Sequence, residues 1–203
     1  MIPRNLLWTD RAQAITSVVT SINGKKLPAM FKLVEWCPFT KNADIGAGRY
    51  DNVTEFLREH QIQNVSFDPF NRPTDSNVSA ISMMRDGQCD TVTVANTLNV
   101  IQERDDRALL IQRAHNVLRP GGIGFFQFHE GDKSGRGRIS QVAKTGQALA
   151  WQENRKTRDY LVEIEPLFNI VSVKANLIIA ARKEERLHAR SLAATIFRSD
   201  LRL

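Results

Sequence analysis

Residues 41–51 read K-N-A-D-I-G-A-G-R-Y-D. A short apolar approach ends in Asp44, Gly46-Ala47-Gly48 follow, and Asp51 opens a segment with Val53, Phe56 and Leu57 on one helical face. This stretch restricts the fold more than any other. A strand running through a glycine turn into a helix commits the chain to a β-α unit, because glycine allows the tight bend and a close backbone approach. The helix start also points free N–H groups at whatever lies there. Taken alone, G-x-G serves an ordinary turn as well as a ligand cradle. The rest of the chain has to supply the other parts of a site.

The second part is Asp68. Residues 64–67, N-V-S-F, read as a strand that ends in Asp68-Pro69, and Asp68 stands 20 residues beyond Gly48. At that spacing an acidic side chain at the tip of a second parallel strand meets ribose hydroxyls. A carboxylate accepts from both hydroxyls of a cis-diol. The competing role is a turn residue before proline.

Asp75 or Ser76 is placed as the cap of a helix through Val78, Ile81 and Met84, closed by Asp86-Gly87. Residues 89–94 form a β-branched, apolar strand that ends in Ala95-Asn96-Thr97-Leu98-Asn99. Residues 104–118 form an amphipathic helix with Leu109, Leu110, Ala114, Val117 and Leu118 inward, closed by Arg119-Pro120-Gly121-Gly122. Residues 123–128 form a further strand, ending in His129-Glu130. This alternation predicts an α/β fold, a doubly wound, mostly parallel sheet with helices on both faces. Ligands of such sheets bind outside the carboxyl ends of the strands, at the switch point of strand order. Asp44, Asp68, Asn96 and His129 all fall at predicted carboxyl ends. Scattered polar residues would not share one sheet edge.

Residues 168–173 and 176–181 read as two strands joined by a turn too short for a crossover, so the pair is antiparallel. The sheet is then expected to hold about seven strands, the last antiparallel. Before it, residues 131–146 form a Gly/Lys/Arg/Ser loop, either a surface insertion or a basic arm over the active edge. Trp151 and Tyr160 flank Arg155, Lys156 and Arg158, an arrangement that suits base stacking with phosphate contact and equally the anchoring of a helix on the core.

At the start, Asp10 caps a predicted helix carrying Ala12, Ile15, Val18, Val19 and Ile22, and Phe31, Leu33, Val34, Trp36 and Phe39 form an apolar link. The expected organisation is one domain over 1–185, with an N-terminal helical segment 1–40 and a basic tail 186–203.

The net charge of +6 lies at one end. Residues 1–130 hold 14 Lys+Arg against 14 Asp+Glu, and residues 131–203 hold 14 against 8. The excess favours a polyanionic partner, DNA or RNA through the basic segment 131–203. The chain shows no run of about 18 apolar residues and no signal-peptide pattern, so no membrane partner and a cytoplasmic location are expected. Cys37 and Cys89 are expected as buried free thiols, and the four histidines form no zinc-type cluster.

The chain at this point resembles a class I S-adenosylmethionine-dependent methyltransferase over roughly residues 40–181. Four features carry the resemblance: the D-I-G-A-G loop at 44–48, Asp68 ending the second strand, N-V-L-R-P-G-G at 116–122 before a strand, and the closing antiparallel hairpin. The hairpin separates this family from dinucleotide dehydrogenases. The resemblance implies S-adenosyl-L-methionine as cofactor. It places Gly46, Ala47 and Gly48 against its methionine end, Asp44 near its amino group and Asp68 at its ribose. Asn96 to Asn99 would lie beside the methyl group, with Asn96 and Asn99 orienting the acceptor and His129 removing a proton. Asp75, Asn77 and Asp86 are the candidates for the adenine contact.

Three departures narrow the subclass. Tyr50 stands where many relatives have a third glycine. Asn96-Thr97-Leu98-Asn99 lacks the prolines of the amino-directed DNA enzymes, and neither cysteine is placed as a cytosine-C5 nucleophile. The expected function is a methyltransferase acting on nucleic acid or a nucleotide-like acceptor. The alternatives are a methyltransferase acting on a small metabolite or protein side chain, and a non-catalytic binding protein that retains the fold.

Overall fold

Four strands follow one another through single helices. β1 (Lys41–Ile45), β2 (Gln63–Phe67), β3 (Cys89–Ala95) and β4 (Leu118–Gln127) alternate with α2 (Asn52–Glu59), α3 (Thr74–Met83) and α4 (Arg104–Val117); α1 (Met30–Leu33) precedes them. The computed structural model describes residues 16–17, 26–142 and 148–184. The predicted tail 186–203 lies outside these residues, as does the N-terminal helix apart from Thr16 and Ser17.

β2, β1, β3 and β4 are parallel neighbours in that order. β8 (Leu177–Arg182) pairs antiparallel with β4, and β7 (Phe168–Lys174) pairs antiparallel with β8 at the edge. Among the described residues the doubly wound sheet therefore has six strands rather than about seven. The reason is chain length. A parallel connection needs a dozen or more residues, and residues 68–88 hold one loop and the single helix α3. The chain steps once across β1 to β3, and β2 is left as an edge.

The two faces of the sheet differ in chemistry. Ala43, Ile45, Val65, Phe67, Val92, Val94, Phe126 and Phe128 form an apolar face under α3 and α4. The opposite face is apolar only towards β4 and β8, where Phe125 and Leu177 meet Met30, Phe31, Val53 and Leu57. Towards β1, β2 and β3 it is polar: Asn42 and Asp44, Asn64 and Ser66, and Thr91 and Thr93 lie in two cross-strand rows.

Several local expectations are corrected. Leu109 is exposed, because Leu110 next to it takes the inward position and neighbouring helical residues point about 100° apart. α3 starts at Thr74 after Pro73, without a side-chain cap, and Val78 faces outward while Asn77 and Ala80 are buried. Cys37 is exposed; only Cys89 is a buried thiol. Within the basic loop at 131–146, β5 (Arg136–Val142) is strand and pairs with β6 (Ala148–Asn154) in a separate antiparallel ribbon. Gly137 admits it, since a Cβ there would lie 2.5 Å from the Trp151 ring. Among the described residues no helix is long and apolar enough to cross a membrane.

Candidate active site

Strand order reverses between β1 and β3, so the crevice lies above their carboxyl ends. Asp44 is the penultimate residue of β1 and is only 2% exposed. Its Oδ1 accepts from the Thr93 hydroxyl at 2.8 Å. Its Oδ2 accepts no hydrogen bond from the described residues. Burial pushes this carboxyl up to about 6, against the Thr93 hydrogen bond and the positive charge of Arg72. A half-satisfied buried carboxylate is costly unless a cation comes to it.

The turn that follows is stitched to the end of β2. The amides of Gly46 and Ala47 donate to the Phe67 carbonyl at 2.9 and 3.2 Å. The Gly48 amide donates to Asp68 Oδ2 at 2.9 Å. Gly46 has a φ of +76°, and a Cβ there would lie 2.4 Å from Thr97 Oγ1. The first glycine is thus required by Thr97 of the same protein, which meets the loop from the segment just after β3. Arg72 clamps the far side: Nε donates to the Gly48 carbonyl at 2.8 Å, and its terminal nitrogens reach the Tyr50 carbonyl and Asp51. Asp51 occupies the N-cap position of α2 but makes no capping bond; its carboxylate is taken by Arg72.

Asp68 is a hub. Oδ1 accepts from the Phe70 and Asn71 amides at 3.0 Å, and Asn71 Nδ2 lies 3.2 Å from both oxygens. With Gly48 and Asn71 Nδ2 on Oδ2, four donor groups already meet the carboxylate's lone-pair directions, and a ligand hydroxyl would take the place of the shared Asn71 contact. Asn77 is committed to the same turn, accepting from the Asp68 amide and donating to the Asp68 carbonyl. Asp86 pairs with Arg113 before β3, at the opposite end of the sheet. Of the three adenine candidates, only the exposed Asp75 is left without a cross-element bond. Between β2 and β3 the described residues hold only α3, with no further strand that an adenine contact could follow.

Asn96 follows β3 directly in a left-handed conformation, φ +54°, at the switch point. Its amide donates to the Gln127 carbonyl at 2.8 Å, and its Oδ1 accepts weakly from Gln127 Nε2 at 3.4 Å. Gln127 Oε1 in turn accepts from the Met30 amide at 2.7 Å. The Asn96 side-chain NH2 therefore turns away from Gln127. Asn99 is buried in a one-turn 3-10 helix, and its Oδ1 has no partner. His129 is exposed just beyond β4. The structure brings Asp44, Gly46, Ala47, Gly48, Asp68 and Asn96 to one edge. Asn99 lies beneath that edge and His129 at its rim.

The ribbon stands beside the same edge, β6 packing against Leu98–Val100. Under it lies a buried charged cluster. Arg107 donates to both Glu163 oxygens and to the carbonyls of Ile101 and Gln102. Arg155 also reaches Glu163 and lies 3.6 Å above the Tyr160 ring, which stacks on Phe128. Burial raises Glu163, but Arg107 and Arg155 outweigh it and hold the carboxyl below its ordinary range. Tyr160 is thus an anchor, covered on both faces, and is not free to stack on a base.

Sequence reasoning missed Arg72, Gln127 and Thr93. A signal existed for two of them: each is a lone polar residue within an apolar strand run, F-F-Q-F and V-T-V. Nothing in R-P-T singles out Arg72.

The sheet order, the glycine turn after β1 and the reversed strand β8 inserted beside β4 define the class I methyltransferase fold. No family model matches the chain, and no curated protein matches its sequence. Solved structures do match. A SAM-dependent methyltransferase from Methanosarcina mazei superposes with a TM-score of 0.59 at 13% identity, over 79% of this chain and 100% of that one. The 1,6-didemethyltoxoflavin-N1-methyltransferase of Burkholderia thailandensis, solved with 1,6-didemethyltoxoflavin and S-adenosylhomocysteine, gives 0.54 at 17% identity, over 87% of this chain and 80% of that one. A Rhodobacter sphaeroides chain classed with Zn-dependent alcohol dehydrogenases gives 0.58 at 11% identity, over 87% of this chain and 100% of that one. At these identities the likeness is one of fold.

Proposed function

We propose that this protein is an S-adenosylmethionine-dependent methyltransferase whose acceptor is a nucleic acid or nucleotide-like molecule. One observation carries the cofactor reading. Asp44, a buried residue whose carboxylate is hydrogen-bonded through Oδ1 to Thr93, precedes the glycine turn at the switch point of a class I methyltransferase sheet, and its Oδ2 is left to a ligand. An ammonium group is the natural partner of such an oxygen. The cofactor's methionine end carries one, so the residues fit the group there.

When bound, S-adenosylmethionine supplies an electrophilic methyl group on its sulfonium. This chain's residues bind and orient. Asp44 takes the ammonium group, Gly46, Ala47 and Gly48 give close backbone contact, and Asp68 Oδ2 accepts from a ribose hydroxyl in place of its long Asn71 contact. Asn96 presents its NH2 group to the acceptor and His129 receives the acceptor's proton; Asn99, assigned to the same task, has its Oδ1 buried beneath that edge. Holding the two reactants in line is the main contribution such a site makes.

The acceptor reading rests on the positive charge of residues 131–203. A specific observation favours the smaller-acceptor alternative: Tyr160, one of the two aromatics offered for stacking, is consumed by packing. Titration calorimetry with S-adenosylmethionine and S-adenosylhomocysteine tests the cofactor. Micromolar binding is expected, and a folded protein that binds neither would return the chain to the non-catalytic reading. A radiolabelled methyl-transfer screen over DNA, RNA and metabolite pools then tests the acceptor.

A further inference from the structure

The polar half of the sheet face under α2 is an unexpected way to build a core. Six residues from three strands, Asn42, Asp44, Asn64, Ser66, Thr91 and Thr93, face the same side, and Asn42 and Thr93 are fully buried. Buried polar groups of this kind are retained at a cost unless their hydrogen bonds are all directed. Here the directions can be read one after another. Thr91 Oγ1 donates to Asn42 Oδ1 at 2.8 Å, which sets the orientation of that amide. Asn42 Nδ2 then donates to Asn64 Oδ1 at 2.8 Å and to Thr93 Oγ1 at 3.0 Å. Asn64 Nδ2 donates to Thr54 Oγ1 of α2 and to Ser66 Oγ. Thr93 accepts a hydrogen bond from Asn42, and its own single proton points onward to Asp44 Oδ1 at 2.8 Å, nearer than the Ala43 carbonyl at 3.5 Å.

We propose that Thr93, oriented by Asn42, is the positioning residue of the cofactor site: it holds Asp44 Oδ1 from below, keeps the carboxylate ionised, and leaves Oδ2 turned to the ligand's ammonium group. This rests on the cofactor reading above and adds the device that makes Asp44 competent. A hydrogen bond to a charged acceptor stabilises the charged form, and Thr93 is the nearest group that does so from within the sheet. The other groups bearing on Asp44 are Arg72, from the loop after β2, which favours its ionised form, and Asp68, from the end of β2, which opposes it. α2 contributes Thr54, which is uncharged and bonds Ser66 and Asn64.

The test measures the affinity of the full chain for S-adenosylmethionine and for S-adenosylhomocysteine by calorimetry between pH 5 and 7.5. The wild type is expected to lose affinity on acidification, by about tenfold per pH unit below the Asp44 midpoint. Thr93→Val keeps the shape and removes the donor. Its midpoint is expected to rise by roughly one pH unit, a complex about fivefold weaker at pH 6 and about tenfold weaker at pH 5. Thr93→Ser restores the wild-type profile, which a merely structural role would not require. Thr93→Ala removes the same hydroxyl with less crowding and gives the same shift if Thr93→Val does not fold. A midpoint unchanged in Thr93→Val or Thr93→Ala, with wild-type binding intact, overturns the role of Thr93 alone. Failure of the wild type to bind either ligand at any pH overturns the cofactor reading and this inference with it.

Discussion

Single residues at this site carry opposing demands of stability and function, and Asp44 shows it best. Its folded carboxyl titrates at about 6, against 3.8 for the free side chain. The folded protein therefore keeps a proton that the unfolded chain releases, and stability falls as pH rises from about 4 through 6. Asp44→Asn removes that loss. It should stabilise the protein by up to ~3 kcal/mol at pH 7.5 and by almost nothing at pH 4. Urea unfolding at the two pH values checks this, and the same variant should lose most cofactor affinity. Gly46 offers a second case. Gly46→Ala meets both a φ of +76° and Thr97 Oγ1, and should cost about 2–4 kcal/mol. Thr97→Ala in the same chain should recover the part due to the clash and leave the part due to φ, which separates the two causes in a double-mutant cycle.

Elements here are held to one another by arginines. Arg72, from the loop after β2, makes its three contacts to the turn between β1 and α2. Arg72→Ala should speed amide exchange at residues 46–51 while leaving β3 and β4 protected, and should cost about 1–3 kcal/mol. Protection unchanged in the turn would remove the clamp. Arg107 joins the start of α4 to α5 (Leu161–Ile164) through Glu163, with both side chains nearly inaccessible. Truncating Arg107 strips Glu163 of its two-bonded partner and leaves it Arg155, so Arg107→Ala should cost about 2–3 kcal/mol by equilibrium unfolding. Neither arginine was predictable from periodicity. Arg107 sits on a helix that reads as an ordinary amphipathic segment, and its partner lies 56 residues away.

At the scale of the whole molecule, charge bears on what the protein meets. A net +6 with all the excess beyond residue 130 predicts salt-sensitive association with duplex DNA or RNA. Anisotropy titrations should weaken by roughly tenfold or more between 50 and 200 mM salt; the absence of binding would favour a small acceptor.

The glycine turn, the strand ends at Asp44, Asp68 and Asn96, the alternation of strands and helices and the reversed hairpin were all legible along the chain. Each depends on local conformational preference and hydrophobic period, which neighbouring residues decide. Tertiary structure alone decided that the sheet has six strands, that residues 136–154 pair into a ribbon, and that Tyr160 is covered. It also decided that Asp68 is loaded with loop amides and that Thr93 aims its proton at Asp44. Those outcomes turn on which distant groups meet in a shared, water-poor interior, where each donor must find an acceptor. Separation along the chain carries no record of that pairing.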